Sequence, residues 1–484
     1  MGEPRVIVAR FATVAGGTLV GGRGIPGKVV TRARVSFSVS RRLLSLLVAL
    51  AALAAACSDD DPIEMADAEP PPPAVSPTAD TLAGDDLASA LRPQVERAEA
   101  GAFRGETGGD GTHLPVLDPS VQALPFELDR IESTPREDVP SALRGDRSDP
   151  SFPDPLIPLD RLISGGPPPD GIPSIDEPKF QYAASLGWMS AVEPVVVLEI
   201  NDDVRAYPVQ LLTWHEIVND TVGGVPVTVA YCPLCNSALA YDRRLGDRIL
   251  DFGTSGELFN SSLVMYDRQT ESLWTHFDSR AVVGHLAGEE LNTFSVQMTS
   301  WEQFRDAHPD AIVLSRNTGF DRQYGRNPYQ GYDNPGGVAY FFDGEVDTRL
   351  QEKERVVVVR DDEDPAVAVP LGVVFEAGAF AFEAHGRELV AVVDPGVSSP
   401  LDGEYVDFGY DQGAAAVYRN ELNGQPLDLV RTDAGFTDLV TGVTFDVFGA
   451  AIDGSGLRLE PVEHLDTFWF AIAAFEPDAR IISG

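Results

Sequence analysis

Sulfur is scarce in this chain: three cysteines, Cys57, Cys232 and Cys235, stand among 484 residues. So few thiols exclude the disulfide framework that staples small secreted domains. Lysine is equally scarce, with Lys28, Lys179 and Lys353 the only three. Basic residues total 36 against 75 acidic ones, a net charge of −39. A surface this acidic repels phosphate backbones and argues against nucleic acid as a partner. Long apolar runs are also missing: the stretch 43–56 has fourteen residues, too few to cross a bilayer as a helix. What is present is ordinary globular material, 43% hydrophobic, with length for two or three domains.

The N-terminal region reads as an export signal. Ser40-Arg41-Arg42 forms a positive n-region, and residues 43–56 form the apolar core with small residues at its end. Cys57 follows Leu53-Ala54-Ala55-Ala56, a pattern like a bacterial lipobox with its leucine one place further out than usual. The expectation is a cleaved signal (1–56), a lipidated Cys57 and a membrane anchor in the cell envelope. Ser40-Arg41-Arg42-Leu43-Leu44 also resembles a twin-arginine export signal. Residues 1–34, rich in glycine, read as the product of a start codon placed too early. Plain signal cleavage, leaving Cys57 free, is the alternative.

Residues 57–150 are poor in apolar runs, rich in Pro, Ala, Asp and Glu, and include Pro70-Pro71-Pro72-Pro73. This composition predicts a disordered tether, with order beginning near Leu156. The rest predicts a β-rich α+β fold of short, mostly antiparallel strands with a few helices. A short helix is expected at 180–186 and a hairpin at 195–207 around Asn201-Asp202-Asp203. A helix is expected at 208–218, ended by Gly223-Gly224, and a strand at 225–231. Another helix is expected at 299–308.

A faint internal repeat divides the folded part into lobes at 151–345 and 346–484. Val356-Val357-Val358-Val359 with Val369-Pro370 echoes Val195-Val196-Val197-Leu198 with Tyr207-Pro208, offset by about 162 residues. Near the C-terminus, Phe468-Trp469 through Pro477-Asp478-Ala479 echoes Ser300-Trp301 through Pro309-Asp310-Ala311, offset by about 168. At the first offset His215, Cys232 and Cys235 face Ala377, Asp394 and Val397. The second lobe keeps the apolar pattern and lacks the imidazole and both thiols, which points to function rather than packing in the first.

Chemistry concentrates in Trp214-His215-Glu216-Ile217-Val218-Asn219-Asp220 and Tyr231-Cys232-Pro233-Leu234-Cys235. Imidazole and thiolate are the donors that soft metals favour, and they are also partners in thiol chemistry. Three readings follow. One is a metal site, copper before zinc, on His215, Cys232 and Cys235 with His276 or Met265 completing it. Another is thiol–disulfide exchange at Cys232 and Cys235. The third is a noncatalytic cell-surface binding module with packed or disulfide-bonded cysteines. Glu216, Asp220, Asp267 and Glu271 are available for acid–base work, or as partners of Arg205, Arg243 and Arg268. The loop holding Arg322, Tyr324 and Arg326 is a candidate cradle for an anionic ligand, or a linker between lobes.

These stretches carry a resemblance. With Gly171-Ile172-Pro173, Arg205-Ala206-Tyr207-Pro208, Phe252-Gly253-Thr254-Ser255-Gly256, Met265-Tyr266-Asp267-Arg268, Thr270-Glu271-Ser272-Leu273-Trp274 and Tyr324-Gly325-Arg326-Asn327-Pro328-Tyr329, residues from about 165 onward resemble the bacterial domain-of-unknown-function family 3179. The resemblance implies a shared fold and assigns no activity, so the three readings stay open.

Overall fold

The structure is a computed structural model that describes residues 124 and 126–483. The expected signal segment 1–56, the expected lipidation site Cys57 and the part of the expected tether up to residue 123 lie outside the described residues. Among those described, four α-helices of seven residues each stand among many short, mostly antiparallel strands in several sheets. None of these helices is long and apolar enough to cross a membrane.

Packing begins earlier than composition suggested. Ile131 donates its N–H to the Thr221 hydroxyl (3.0 Å), and Thr134 and Leu143 donate theirs to the carbonyls of Ile249 and Glu271. Ala142 and Leu143 are buried in a cluster with Val264, Tyr266 and Leu273. Residues 131–147 are therefore a strap on the first lobe. Its few apolar side chains fill a groove that no hydropathy window detects.

The first lobe opens on a hairpin, β1 (Pro194–Ile200) and β2 (Asp203–Pro208), turned through Asn201 and Asp202 at φ 51° and 65°. Asn and Asp tolerate that left-handed region better than most side chains. Pro208 caps α1 (Val209–His215), every residue of which is buried. The helix stops at His215, short of the expected 218. Ile217, Val218, Thr221 and Val222 are β-branched and instead form β3 (Ile217–Val222). Gly223 and Gly224 accordingly turn a hairpin into β4 (Val225–Cys232), followed by β5 (Ser237–Asp242). A second sheet runs through β6 (Phe252–Phe259), β7 (Ser262–Asp267), β8 (Leu273–Thr275) and β9 (Ala281–Val283). The chain then returns by β10 (Gln297–Ser300), α2 (Trp301–Ala307) and β11 (Ile312–Leu314) to flank the opening hairpin. The helix expected at 180–186 is a strand, Phe180–Tyr182, paired with β11 and followed by a single 3₁₀ turn.

The second lobe consists of β12 (Arg355–Val359), β13 (Val367–Pro370), α3 (Leu371–Ala377), β14 (Ala379–Ala384), β15 (Arg387–Asp394) and β16 (Ala414–Arg419). It closes with β17 (Leu465–Phe468), α4 (Trp469–Phe475) and β18 (Arg480–Ile481). Its sheet order β17-β12-β13-β18 matches β10-β1-β2-β11 in order and in pairing sense. Pro370 caps α3 with nearly the backbone angles of Pro208. One apolar cluster draws on both lobes: Cys232, Cys235, Met265 and Trp274 pack with Val356, Phe468 and Trp469.

Candidate functional site

Strand β4 runs out at Cys232, and a tight turn brings Cys235 back beneath it. The Cys235 N–H donates to the Cys232 carbonyl (3.2 Å), Asn236 adopts φ 49°, and Ser237 then pairs with Cys232 across the hairpin. Both cysteines are free and buried, with their sulfur atoms 3.0 Å apart. The turn is clamped from the second lobe. Phe468 N–H and the Thr467 hydroxyl both donate to the Cys235 carbonyl at 3.0 Å. The Tyr332 hydroxyl holds the Leu234 carbonyl, also at 3.0 Å.

The two thiols are electrostatically unequal. Burial raises the Cys232 pKa, but hydrogen bonds from the Cys235 thiol and the N–H groups of Leu263, Cys235 and Leu234 outweigh it, and the net shift is downward. Cys235 is pushed well above the ordinary thiol range by burial and by its bond to Cys232. Of the two, Cys232 is therefore the thiol that ionises more readily and Cys235 the one that keeps its proton longer. Beside them sits Glu216, 7% exposed, at the junction of α1 and β3. Burial, and then the charge on Cys232, raise its carboxyl to about 8. Its nearest polar contact is the Tyr329 hydroxyl at 3.5 Å. Among the described residues the amide nitrogen of the buried Asn236 side chain meets no hydrogen-bond partner, so this end of the core is polar and incompletely satisfied.

The expected four-ligand metal set does not assemble. His215 is fully buried, and both ring nitrogens are occupied: Nδ1–H donates to the Pro173 carbonyl and Nε2 accepts from the Tyr324 hydroxyl, each at 2.7 Å. Burial lowers its pKa to about 4, so it is a neutral strut tying α1 to the segments around Pro173 and Phe320. His276 reaches the thiols only through Ser237, whose hydroxyl lies 3.1 Å from Nε2 and close to the Cys235 thiol. Its other nitrogen meets the Tyr241 hydroxyl at 3.0 Å, and burial lowers its pKa to about 3. Met265 is buried in the same apolar cluster as the thiols, opposite Trp274. Among the described residues, the trio of His, Cys, Asp or Glu donors with ligand atoms all within 4.8 Å is Asp361, Asp364 and His385, on the second lobe.

The Arg/Tyr loop covers the site. Besides Tyr324 on His215, Tyr329 on Glu216 and Tyr332 on Leu234, the Arg326 carbonyl accepts from the Trp214 indole at 3.2 Å. The Arg326 side chain is exposed and pairs with Glu404, away from any cradle. Arg322 is half-buried and contributes a positive charge near His215.

The other carboxylates are committed. Asp220 takes Arg205 (2.9 Å) and the Tyr207 hydroxyl (2.7 Å), and Glu271 pairs with Arg136. Asp267 accepts from Thr270, Ser272 and the Trp274 indole rather than from an arginine. Sequence reasoning singled out Tyr329 and Tyr332 as part of the anion-cradle loop and not as neighbours of the thiols, and it missed Ser237, Thr467 and Phe468 in that role. Only Ser237, two residues beyond Cys235, had a local signal.

Fold and site together define a class: a β-rich protein with a buried, polarised Cys-x-x-Cys pair beneath a tyrosine loop. The chain belongs to the family described as protein of unknown function (DUF3179), whose model matches residues 169–479. No curated protein and no solved structure matches it.

Proposed function

We propose that this chain is an exported, lipid-anchored thiol–disulfide oxidoreductase of the cell envelope, with Cys232 and Cys235 as its reactive pair. The observation that carries the reading is the pair of sulfurs 3.0 Å apart with their pKa values pushed in opposite directions. A thiol that ionises readily beside one that holds its proton is an arrangement suited to exchange.

In the reaction the Cys232 thiolate attacks a substrate disulfide and expels one substrate thiolate, leaving a mixed disulfide. Loss of the Cys232 charge removes one of the two causes that hold Glu216 protonated, so its carboxyl passes its proton to the expelled substrate thiolate. Glu216 then accepts the Cys235 proton. The Cys235 sulfur attacks Cys232, the second substrate thiolate leaves, and the chain is oxidised by two electrons as the substrate is reduced. The buried thiols become reachable when the loop carrying Tyr324, Tyr329 and Tyr332 lifts.

A soft-metal site remains the second reading, because two convergent sulfurs also suit copper, or less well zinc. In it Cys232 and Cys235 are the ligands, Met265 is the nearest further donor type, and His215 has no part. The matched lobes support duplication of one ancestral unit. Their helices and hairpins recur at a shift of 162 residues and their last strand–helix pair at 168. Export with lipidation at Cys57 rests on residues 40–57.

The test is a free-thiol count, a glutathione redox titration and elemental analysis on chain purified with and without reductant, beside a Cys232→Ser/Cys235→Ser double variant. Two thiols that interconvert reversibly with one disulfide support the oxidoreductase. One copper or zinc per chain, lost in the double variant, would replace it with the metal reading. Thiols that neither oxidise nor bind metal would defeat both. Radiolabelled palmitate incorporated by the intact chain and not by Cys57→Ser tests the anchor.

A further inference from the structure

We propose that a cavity in the second lobe, bordered by Lys353, binds a small organic carboxylate with an apolar tail. This goes beyond the thiol chemistry and does not depend on it. The cavity measures about 360 Å³, within the usual range for small-molecule sites. Leu371, Phe375 and Pro335 line it on the apolar side, and Lys353, Gln351 and Gln412 on the polar side.

The other charges at its rim are Arg355, Asp411 and Glu354, each with a partner, Glu354 accepting the Gln351 N–H at 3.4 Å. Arg355 is paired with Asp466, and its Nη1 donates to Gln412 Oε1 at 2.7 Å. Asp411 accepts the backbone N–H groups of Gly396 (2.9 Å) and Gly413 (3.0 Å). Lys353 is different. Its residue is 3% exposed, its ammonium donates to the Tyr332 carbonyl, and it lies 4.2 Å from the centre of the Tyr332 ring. Asp333 and Glu352 act on it only as charges through space. An ammonium carries three N–H donors, and a buried charge without a contacting counter-ion is costly. Burial lowers the amine to about 8, so it is still charged at neutral pH.

An incoming carboxylate supplies the counter-ion, while its alkyl tail covers Leu371 and Phe375. An alcohol of the same length gains only the second term, which makes charge the discriminating feature.

The experiment is calorimetric titration of the full chain at pH 7 with hexanoate, and with hexan-1-ol as its neutral counterpart. Saturable one-to-one binding of hexanoate, about tenfold or more weaker for hexan-1-ol and for Lys353→Met, is expected. Gly372→Leu fills the cavity from the helix side. An added Cβ there meets nothing within 4 Å, so the fold tolerates it and hexanoate binding should be lost. Near-UV circular dichroism checks each variant, and if Lys353→Met does not fold, Gly372→Leu carries the test. No saturable heat with the unaltered chain, or equal binding after Gly372→Leu, would overturn the proposal.

Discussion

Glu216 occupies a left-handed backbone position (φ 58°) at the end of α1, and the second lobe has Gly378 (φ 78°) at the corresponding place. Glycine adopts that conformation freely and glutamate does so at a cost. A carboxyl held there and buried beside Cys232 is consistent with the proposed exchange role. It yields a prediction at the scale of one residue. The rise of Cys232 alkylation with pH should be interrupted near pH 8, where the ionising Glu216 carboxylate opposes the neighbouring thiolate, and Glu216→Gln should remove that break while Cys232 and Cys235 both still count as thiols. A pH profile unchanged in Glu216→Gln removes this residue from the mechanism. His215 allows a second prediction. Its folded pKa, about 4, lies below the ordinary 6.5, so the unfolded chain binds more protons between those values. The stability from burying it neutral is complete above pH 6.5 and is lost as pH falls through 4, on the order of 3 kcal/mol in all. Urea unfolding at pH 7, 5.5 and 4.5 should show this slope, reduced in His215→Gln.

The hairpins set the register of the thiol site, and one of their turns is unusually exacting. At Gly223 (φ 54°) a Cβ would lie 2.1 Å from the Ile200 carbonyl oxygen, whereas at Gly224 (φ 77°) it would meet nothing within 4 Å. Gly223→Ala should therefore destabilise the chain by about 2 kcal/mol or more, read as a lower midpoint in urea, while Gly224→Asn should be nearly neutral. Equal midpoints for the two variants would mean that β3–β4 does not pack on β1 as described. This element also shows the limit of periodicity. Val209, Leu212, Ile217 and Val218 fit one helical face. Yet the β-branched residues after Glu216 pair with β4 (Ile217 opposite Ala230), and the long-range ladder overrides the local helical pattern.

In the whole molecule, the second lobe lacks the thiols and still holds them in place. Thr467 and Phe468 fix the Cys235 carbonyl, and Val356, Phe468 and Trp469 share the core around both sulfurs. Residues 151–345 expressed alone should not fold, because this shared cluster would face water. Circular dichroism and a solubility assay of that fragment check the expectation, and a cooperative melt would refute it. Thr467→Val, in the intact chain, should leave the fold in place and speed thiol modification by loosening the turn.

Composition and local pattern by themselves determined the acidic character, the β-rich class and the position of the opening hairpin. Each of these depends on residue type or on neighbours a few places apart. The tertiary structure alone decided the rest: that His215 faces Pro173 and Tyr324 instead of the thiols, that Glu216 adjoins Cys232, and that the strap at 131–147 is packed. The clamp from Thr467 is beyond any sequence window, since it joins groups 232 residues apart. Side-chain direction at a helix end, and contacts made across lobes, follow from how the sheets close on one another.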